Sequence, residues 1–268
     1  MDRYVVIGNP VAHSLSPEIH ARFARDAGEA IFYDRLLVAP GDFGRATAEF
    51  FASGGSGANV TLPFKVDAFA FCRERSARAE RAGAVNALVK RGGQIFGDNT
   101  DGAGLVRDLT RNLSLELAGR RILVLGAGGA ASGVMAPLLA LSPARLVVAN
   151  RTSRRADELA RRFRDAGNVE GAGLEIMGEK FDLVVNATSA STRGESIELP
   201  AGLFAPGATA YDMAYGPAAR PFLDIASAAG ARVSDGLGML VEQAAETFFL
   251  WRGKWPGTSG VIAALRSA

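Results

Sequence analysis

The sequence predicts an α/β fold in two domains with mainly parallel sheets, and three observations predict it. Short β-branched runs alternate with helical patterns from the first residues onward. A strand, a glycine-rich turn and a helix open a second series of such units after Arg121. The chain is 268 residues long, enough for one large or two modest domains at about 100–200 residues each.

In the first series the patterns place strands at 4–8, 31–38, 57–61, 84–89 and 95–98, the last two joined by a turn through Gly92-Gly93. Helices are expected at 17–27 and 40–53, the first opened by Ser16 as N-cap with Pro17 at the first helical position. A further helix near 101–112 leads to a linker that ends at Gly119-Arg120-Arg121.

The second series has strands at 122–126, 145–149, 182–186 and 209–213, with helices at 129–141, 153–166 and near 219–229. Pro137 should bend or locally break the helix in which it falls. A long apolar-rich helix at 237–252 and a final one near 258–266 precede no strand, so they are expected to return to the first domain. This gives one domain of residues 1–101 plus 237–268 and another of 102–236.

Composition removes several classes of function. A single cysteine, Cys72, allows no internal disulfide and no multi-cysteine metal site, which fits a reducing compartment. Two histidines, His13 and His20, lie in one short stretch, so a histidine metal centre or a Ser-His-Asp triad is not expected. A net charge of +2, with no aromatics interleaved among the arginines, argues against nucleic acid. Met1-Asp2-Arg3 runs straight into a strand pattern, which predicts a cytoplasmic protein. The uncharged run from Ile122 to Leu141 is long enough for a membrane, but Gly126-Ala127-Gly128-Gly129 cuts it into a strand and a helix.

That glycine turn is the first chemical signal. Gly126, Ala127, Gly128, Gly129, Ala130 and Ala131 form a GxGxxA turn, which lets backbone N–H groups approach a pyrophosphate at a helix N-terminus. The next strand ends in Asn150-Arg151-Thr152, with Arg154 and Arg155 following. No carboxylate stands there to hold a ribose 2′-OH, and guanidinium groups suit a 2′-phosphate, so NADP is favoured over NAD.

A second set of polar residues gathers at strand ends of the first domain. Thr61 and Lys65 stand where a strand hands over to a helix, Asn86 is expected within the next strand, and Asp98-Asn99-Thr100-Asp101-Gly102 leaves the last one. Ser14 and Ser16 flank a helix N-terminus, a favourable place for a carboxylate. Singly each has a structural explanation, such as a cap or a surface charge; together at one sheet edge they suggest a ligand site. Lys65 is also one of only four lysines, with Lys90, Lys180 and Lys254, in a chain that otherwise uses arginine.

At these residues the chain resembles the shikimate dehydrogenases. The resemblance runs, in order, through Gly8–Pro17, Gly57–Lys65, Gly83–Asn86, Gly97–Gly102, Gly126–Ala130, Asn150–Thr152, Asn186–Ser189, Tyr211–Tyr215 and Asp235–Ala244, nearly the whole length. It implies an α/β substrate domain and a Rossmann-like NADP domain, and NADPH-dependent reversible reduction of 3-dehydroshikimate to shikimate on the route to aromatic amino acids. It implies further that Ser14 and Ser16 hold the substrate carboxylate, and that Thr61, Asn86, Asp101, Tyr215 and Gln243 contact the ring and its hydroxyls. Lys65 and Asp101 would be the catalytic pair. Gly126, Ala127, Gly128, Gly129 and Ala130 would face the pyrophosphate, Asn150, Arg151, Thr152 and Arg155 the 2′-phosphate, and Met213 and Gly236 the nicotinamide side. One departure is Ala190-Ser191, where the family pattern has a glycine.

The chemistry has its own physical reading. Hydride arriving at a ketone carbon builds negative charge on oxygen, which a positioned cation or acid must stabilise and protonate. Lys65 can do so as proton donor or as electrostatic anchor, with Asp101 orienting it. No metal is expected, and the partner would be a small molecule, with no nucleic acid and no membrane, on a monomer or homodimer. Quinate or an amino-substituted shikimate as substrate, and an NADPH-sensing module without turnover, are the competing readings. Ser14 and Ser16 lean towards shikimate, and a sensing module would have lost Lys65 or Asp101.

Overall fold

A computed structural model describes residues 1–175, 179–190 and 199–267. In chain order the first elements are β1 (Asp2–Gly8), α1 (Ser16–Ala27), β2 (Ile31–Leu37), α2 (Phe43–Ala52), β3 (Gly55–Val60), α3 (Lys65–Phe71), β4 (Glu74–Arg75), α4 (Ala77–Ala82), β5 (Ala87–Arg91), β6 (Gln94–Asp98) and α5 (Asp101–Arg107). They continue with β7 (Arg121–Leu125), α6 (Gly129–Leu139), β8 (Arg145–Ala149), α7 (Ser153–Arg161), β9 (Val169–Ala172), β10 (Phe181–Asn186), β11 (Phe204–Asp212), α8 (Arg220–Ala228), β12 (Arg232–Ser234), α9 (Leu237–Arg252) and α10 (Ser259–Arg266). The chain divides into two compact units, Met1–Gly104 with Leu240–Ala268, and Leu105–Met239.

The first unit holds a six-stranded sheet in the order β2-β1-β3-β5-β6-β4. β1 runs parallel to β2 and β3, whereas β5 is antiparallel to both of its neighbours. That reversal brings the ends of β1, β3 and β6 and the start of β5 to one edge. Val60 donates its N–H to the Asn86 carbonyl at 2.8 Å, and Asn86 donates to the Asp98 carbonyl at 3.0 Å. One buried cluster joins Val5, Ile7, Phe43, Phe50, Ala58, Val60, Phe64 and Leu88. Another joins Ile19 and Phe23 of α1 to Val241, Ala244 and Phe248 of α9 and to Val261 and Ile262 of α10. The helices that precede no strand therefore pack on α1.

In the second unit the sheet order is β12-β11-β10-β7-β8-β9, parallel throughout. Ile122 and Val124 of β7 belong to one buried cluster and Leu123 and Leu125 to another, so the strand is covered on both faces. This two-sided burial is what a parallel sheet between helical layers requires. The uncharged run at 122–141 is divided between β7 and α6, and no described helix is long and apolar enough to cross a membrane.

Several local expectations are corrected. Ser16 does not cap α1: it is the first helical residue, Leu15 takes the cap position without a side-chain bond, and the Ser14 hydroxyl accepts the Ser16 N–H at 3.3 Å. Asn86 is not inside a strand but immediately before β5, where its side chain is free of the sheet's alternation. Pro137 does not break α6, which runs on to Leu139. Its missing N–H deprives only the Gly133 carbonyl of a donor, late in a helix held by buried Val134, Met135, Leu138 and Leu139. The helix expected near 101–112 changes to a π-helical turn at Asp108–Asn112, and the one at 153–166 ends at Arg161. β4, β9, β12 and α4 were not expected from periodicity; all are short, and the three strands pair with longer neighbours.

Candidate active site and cofactor site

Lys65 is the first residue of α3 and Asp101 the first of α5, each placed directly beyond the common edge of the first sheet. The Lys65 Nζ donates to Asp101 Oδ2 at 2.6 Å, with side chains only 15% and 6% exposed. Such a pair, removed from most water, holds its geometry far better than a surface ion pair. The Asn86 Nδ2 donates to Asp101 Oδ1 at 2.8 Å and lies 3.0 Å from Thr100 Oγ1 and 3.3 Å from Gln243 Oε1. In return, the Asn86 Oδ1 accepts the Thr100 N–H at 2.8 Å. Lys65, Asn86, Asp101 and Gln243 are thus one connected cluster.

Thr61 follows β3 and is tied by its N–H to the Ile7 carbonyl at 2.9 Å. Gly8 is required there, since a Cβ would stand 2.5 Å from Thr61 Cγ2. Ser14 and Ser16 are also brought together, with their hydroxyls 3.1 Å apart.

Beyond Asp98 and Thr100, sequence reasoning gave no role to the residues that hold this cluster. Asn59 donates to Thr247 Oγ1 at 3.3 Å and accepts the Tyr33 hydroxyl at 2.8 Å, while the Thr100 and Thr247 hydroxyls lie 3.2 Å apart. Arg78 forks onto Asp98 at 2.7 and 2.9 Å and reaches Glu246 on α9 at 2.8 Å. Burial alone would raise the Asp98 pKa; the Arg78 guanidinium, with the Ser76 hydroxyl and the Asn99 N–H, instead holds it below the ordinary aspartate value. The one available signal was Thr247 standing four residues beyond Gln243, on the same helix face.

The second unit gathers the other set. Gly126 has φ +104°, and Gly128 is the N-cap of α6 with no side-chain bond to the helix and open space where a Cβ would be. The first N–H groups of α6, at Gly129 and Ala130, therefore face an uncapped helix start with no side chain filling the space at Gly128, which suits a pyrophosphate. Asn150 follows β8 and donates to the Thr152 carbonyl at 3.0 Å, and Thr152 is the N-cap of α7. Arg154 is paired with Glu158 at 2.9 Å, while Arg151 and Arg155 are exposed, with no acidic partner among the described residues. Two free guanidinium groups beside an uncapped helix fit a phosphorylated dinucleotide.

Met213 follows β11 with its N–H on the Asn186 carbonyl at 3.0 Å. Gly236 donates to the Ala214 carbonyl at 2.8 Å, and a Cβ there would collide with the Met213 carbonyl. Tyr215 stands just before a 3₁₀ turn at Gly216–Ala219. Ala127 is half-buried inside the glycine turn. Of the departure at Ala190-Ser191, Ala190 donates its N–H to Thr188 Oγ1 at 3.3 Å, and Ser191 lies outside the described residues.

Comparison with known proteins finds three family matches. They are the shikimate dehydrogenase substrate binding domain over residues 6–88, the shikimate / quinate 5-dehydrogenase family over 108–194, and the shikimate 5′-dehydrogenase C-terminal domain over 236–266. The chain belongs to the shikimate dehydrogenase family. A shikimate dehydrogenase (NADP(+)) of Dechloromonas aromatica is 57% identical, covering 99% of this chain and 98% of its own. One from Alkalilimnicola ehrlichii is 53% identical over 99% and 98%. The crystal structure of the Thermus thermophilus shikimate 5-dehydrogenase, in complex with NADP(H) and shikimate, superposes with a TM-score of 0.87 at 36% identity, covering 100% and 99% of the two chains. Against the shikimate dehydrogenase matches, Ser14, Ser16, Thr61, Lys65 and Asn86 fall in the first segment, the glycine turn and Asn150–Arg155 in the second, and Gly236 and Gln243 in the third. Asp101, Met213 and Tyr215 lie between matched segments.

Proposed function

We propose that this chain catalyses the NADPH-dependent, reversible reduction of 3-dehydroshikimate to shikimate, with Lys65 and Asp101 as its catalytic pair. Its family membership supplies the reaction, and the observation that carries the residue assignment is the 2.6 Å Lys65–Asp101 pair within a buried polar cluster. Unit Met1–Gly104 with Leu240–Ala268 is the substrate domain in this reading, and unit Leu105–Met239 the NADP domain. Gly126 to Ala130 would hold the pyrophosphate, Asn150, Arg151, Thr152 and Arg155 the 2′-phosphate, and Met213 and Gly236 the nicotinamide side; Thr61, Asn86 and Gln243 would contact the ring of the substrate and its hydroxyls.

NADPH, when bound, supplies the hydride. Lys65 holds a positive charge where the carbonyl oxygen turns into an alkoxide, and its ammonium is the group able to give that oxygen a proton. Asp101 keeps the ammonium in place through Oδ2 and offers the carboxylate to a neighbouring substrate hydroxyl. Asn86 fixes Asp101 through Oδ1, so the carboxylate cannot rotate away. Ser14 and Ser16 hold the substrate carboxylate and so orient the ring. A sensing module without turnover has no use for this pair.

All the substrate-side groups of the first unit come from one chain, so a monomer or homodimer serves the proposal equally. A reducing cytoplasm suits the lone Cys72, which is buried and whose thiol pKa burial pushes up to about 11. The test is NADPH formation followed by absorbance with shikimate or quinate, each with NADP or NAD. Turnover of shikimate with NADP well above the other three combinations is expected. No turnover of shikimate, or quinate preferred, would overturn the proposal.

A further inference from the structure

Strand β2 supplies none of the residues assigned above to substrate, yet two of its side chains, spaced two apart on the same face, reach the Ser14–Ser16 turn. The Tyr33 hydroxyl donates to Asn59 Oδ1 at 2.8 Å, and burial raises its pKa against the lowering effect of the Ser16 side chain beside it. The ring is backed by the His20 imidazole, stacked at 4.4 Å and 8°. Arg35 reaches the other serine: its Nη2 and Nε donate to the Ser14 carbonyl at 2.6 and 3.2 Å.

The partner of Arg35 sets it apart from most arginines of this unit, Arg3 on the Ser53 carbonyl being the other exception. Most guanidinium groups whose side-chain bonds are described in this unit, those of Arg22, Arg45, Arg75, Arg78 and Arg252, are neutralised by a carboxylate. Arg35 grips a neutral carbonyl instead, with both hydrogen bonds on one oxygen, and no carboxylate among the described residues pairs with it. A full positive charge is thereby fixed against the turn that presents two hydroxyl groups. Hydroxyls bond neutral acceptors as well as carboxylates, whereas a fixed cation adds a charge attraction that only the anion feels.

We propose that Arg35 is a further substrate-binding residue: it shapes the Ser14–Ser16 turn and supplies the charge that selects a carboxylate there. The proposal rests on the reading of Ser14 and Ser16 as the carboxylate site. Because Arg35 is exposed, solvent screening limits the effect to a change of roughly three- to tenfold in substrate affinity.

Steady-state kinetics with NADP test it, using shikimate and its methyl ester, which lacks the negative charge. Arg35→Gln keeps a donor for the Ser14 carbonyl and removes the charge. It should raise the shikimate KM roughly three- to tenfold, with kcat and the NADP KM nearly unchanged, as loss of uniform binding requires. The methyl ester should be indifferent to Arg35→Gln, and Arg35→Lys should recover part of the shikimate affinity. An unchanged shikimate KM, or equal weakening of acid and ester, would overturn the inference. Ser14→Ala and Ser16→Ala separate its failure from that of the underlying reading. If they raise the KM for shikimate while Arg35→Gln does not, the carboxylate site stands and the arginine has no part in it. If neither serine matters, the site itself is misassigned.

Discussion

The two oxygens of Asp101 have separate partners: Oδ1 accepts from the Asn86 amide at 2.8 Å and Oδ2 from the Lys65 ammonium at 2.6 Å. The carboxylate is therefore fixed in rotation as well as in position, which a single bond would not achieve. Asn86 is in turn fixed by the Thr100 N–H, so the orientation of Lys65 depends on three residues from two places in the chain.

Lys65→Met should lower kcat by at least about 100-fold, the lower end of general acid–base contributions, with NADPH affinity intact. Lys65→Arg should restore little, because a guanidinium is bulkier and does not give up a proton. Asp101→Asn retains the shape and loses the charge, and a smaller loss than Lys65→Met is expected. Near-normal kcat in Lys65→Met with only a raised shikimate KM would remove the catalytic assignment.

Arg151→Ala should weaken NADP about ten- to a hundredfold, the value of one charge-assisted hydrogen bond, and leave NAD nearly unchanged. Arg154→Ala should change neither, since Arg154 is already paired with Glu158. Binding titrations with both dinucleotides decide it; equal weakening of the two by Arg151→Ala would mean that the arginine does not read the 2′-phosphate.

His20 predicts an acid limb in stability. Its imidazole is fully buried, and burial, partly offset by the Asn59 side chain, pushes its pKa down to about 3. Between that value and the ordinary 6.5 the unfolded chain binds a proton that the folded chain refuses, so the contribution is complete above pH 6.5 and is lost as pH falls. Relative to His20→Phe, the parent protein should lose about 1.4 kcal/mol for each pH unit below 6.5. Chemical denaturation from neutral pH down to about pH 4 measures this. A stability difference independent of pH would show that His20 is not held neutral.

Gly238→Ala should be strongly destabilising. An added Cβ would fall within the Asp108 carboxylate, which is fully buried and accepts the Tyr211 hydroxyl at 2.6 Å and the Asn112 amide at 2.9 Å. Overpacking against an anchored polar group costs about 1–3 kcal/mol or more. Thermal unfolding should show a clear fall in Tm, and Gly260→Ala, where a Cβ meets nothing within 4 Å, serves as the comparison. Equal Tm values for the two would mean that Asp108 can move aside.

Residues 122–149 were legible because their signals are local. A continuous apolar run, a glycine needing φ +104° and an uncapped helix start each leave a mark within a few residues, and β7, α6 and β8 follow in that order. Lys65 and Asp101 were legible for a related reason: each begins a helix directly after a strand pattern, so both could be placed at a sheet edge without knowing what lay opposite. The misplacement of Asn86 inside a strand and of Ser16 as a cap came from the same local rules, overridden by an antiparallel neighbour and by the Ser14 hydroxyl.

Which groups meet across the chain was decided only by the tertiary structure. Asn59 meets Thr247 from 188 positions away, Arg78 meets Glu246 from 168, and Arg35 finds a carbonyl on a turn 21 residues earlier. No periodicity encodes such pairs, because a side-chain hydrogen bond depends on the approach of two surfaces and not on the φ and ψ of either partner. The sequence by itself determined the alternation of strands and helices, the glycine turn and the residue types at the strand ends. The packing of α9 against α1, which brings Gln243 and Thr247 down onto Asn86, Asn59 and Thr100, required the assembled core: Val241, Ala244 and Phe248 are buried on α1, and Gln243 and Thr247 are buried as well, so their polar atoms find partners inside the site in place of water.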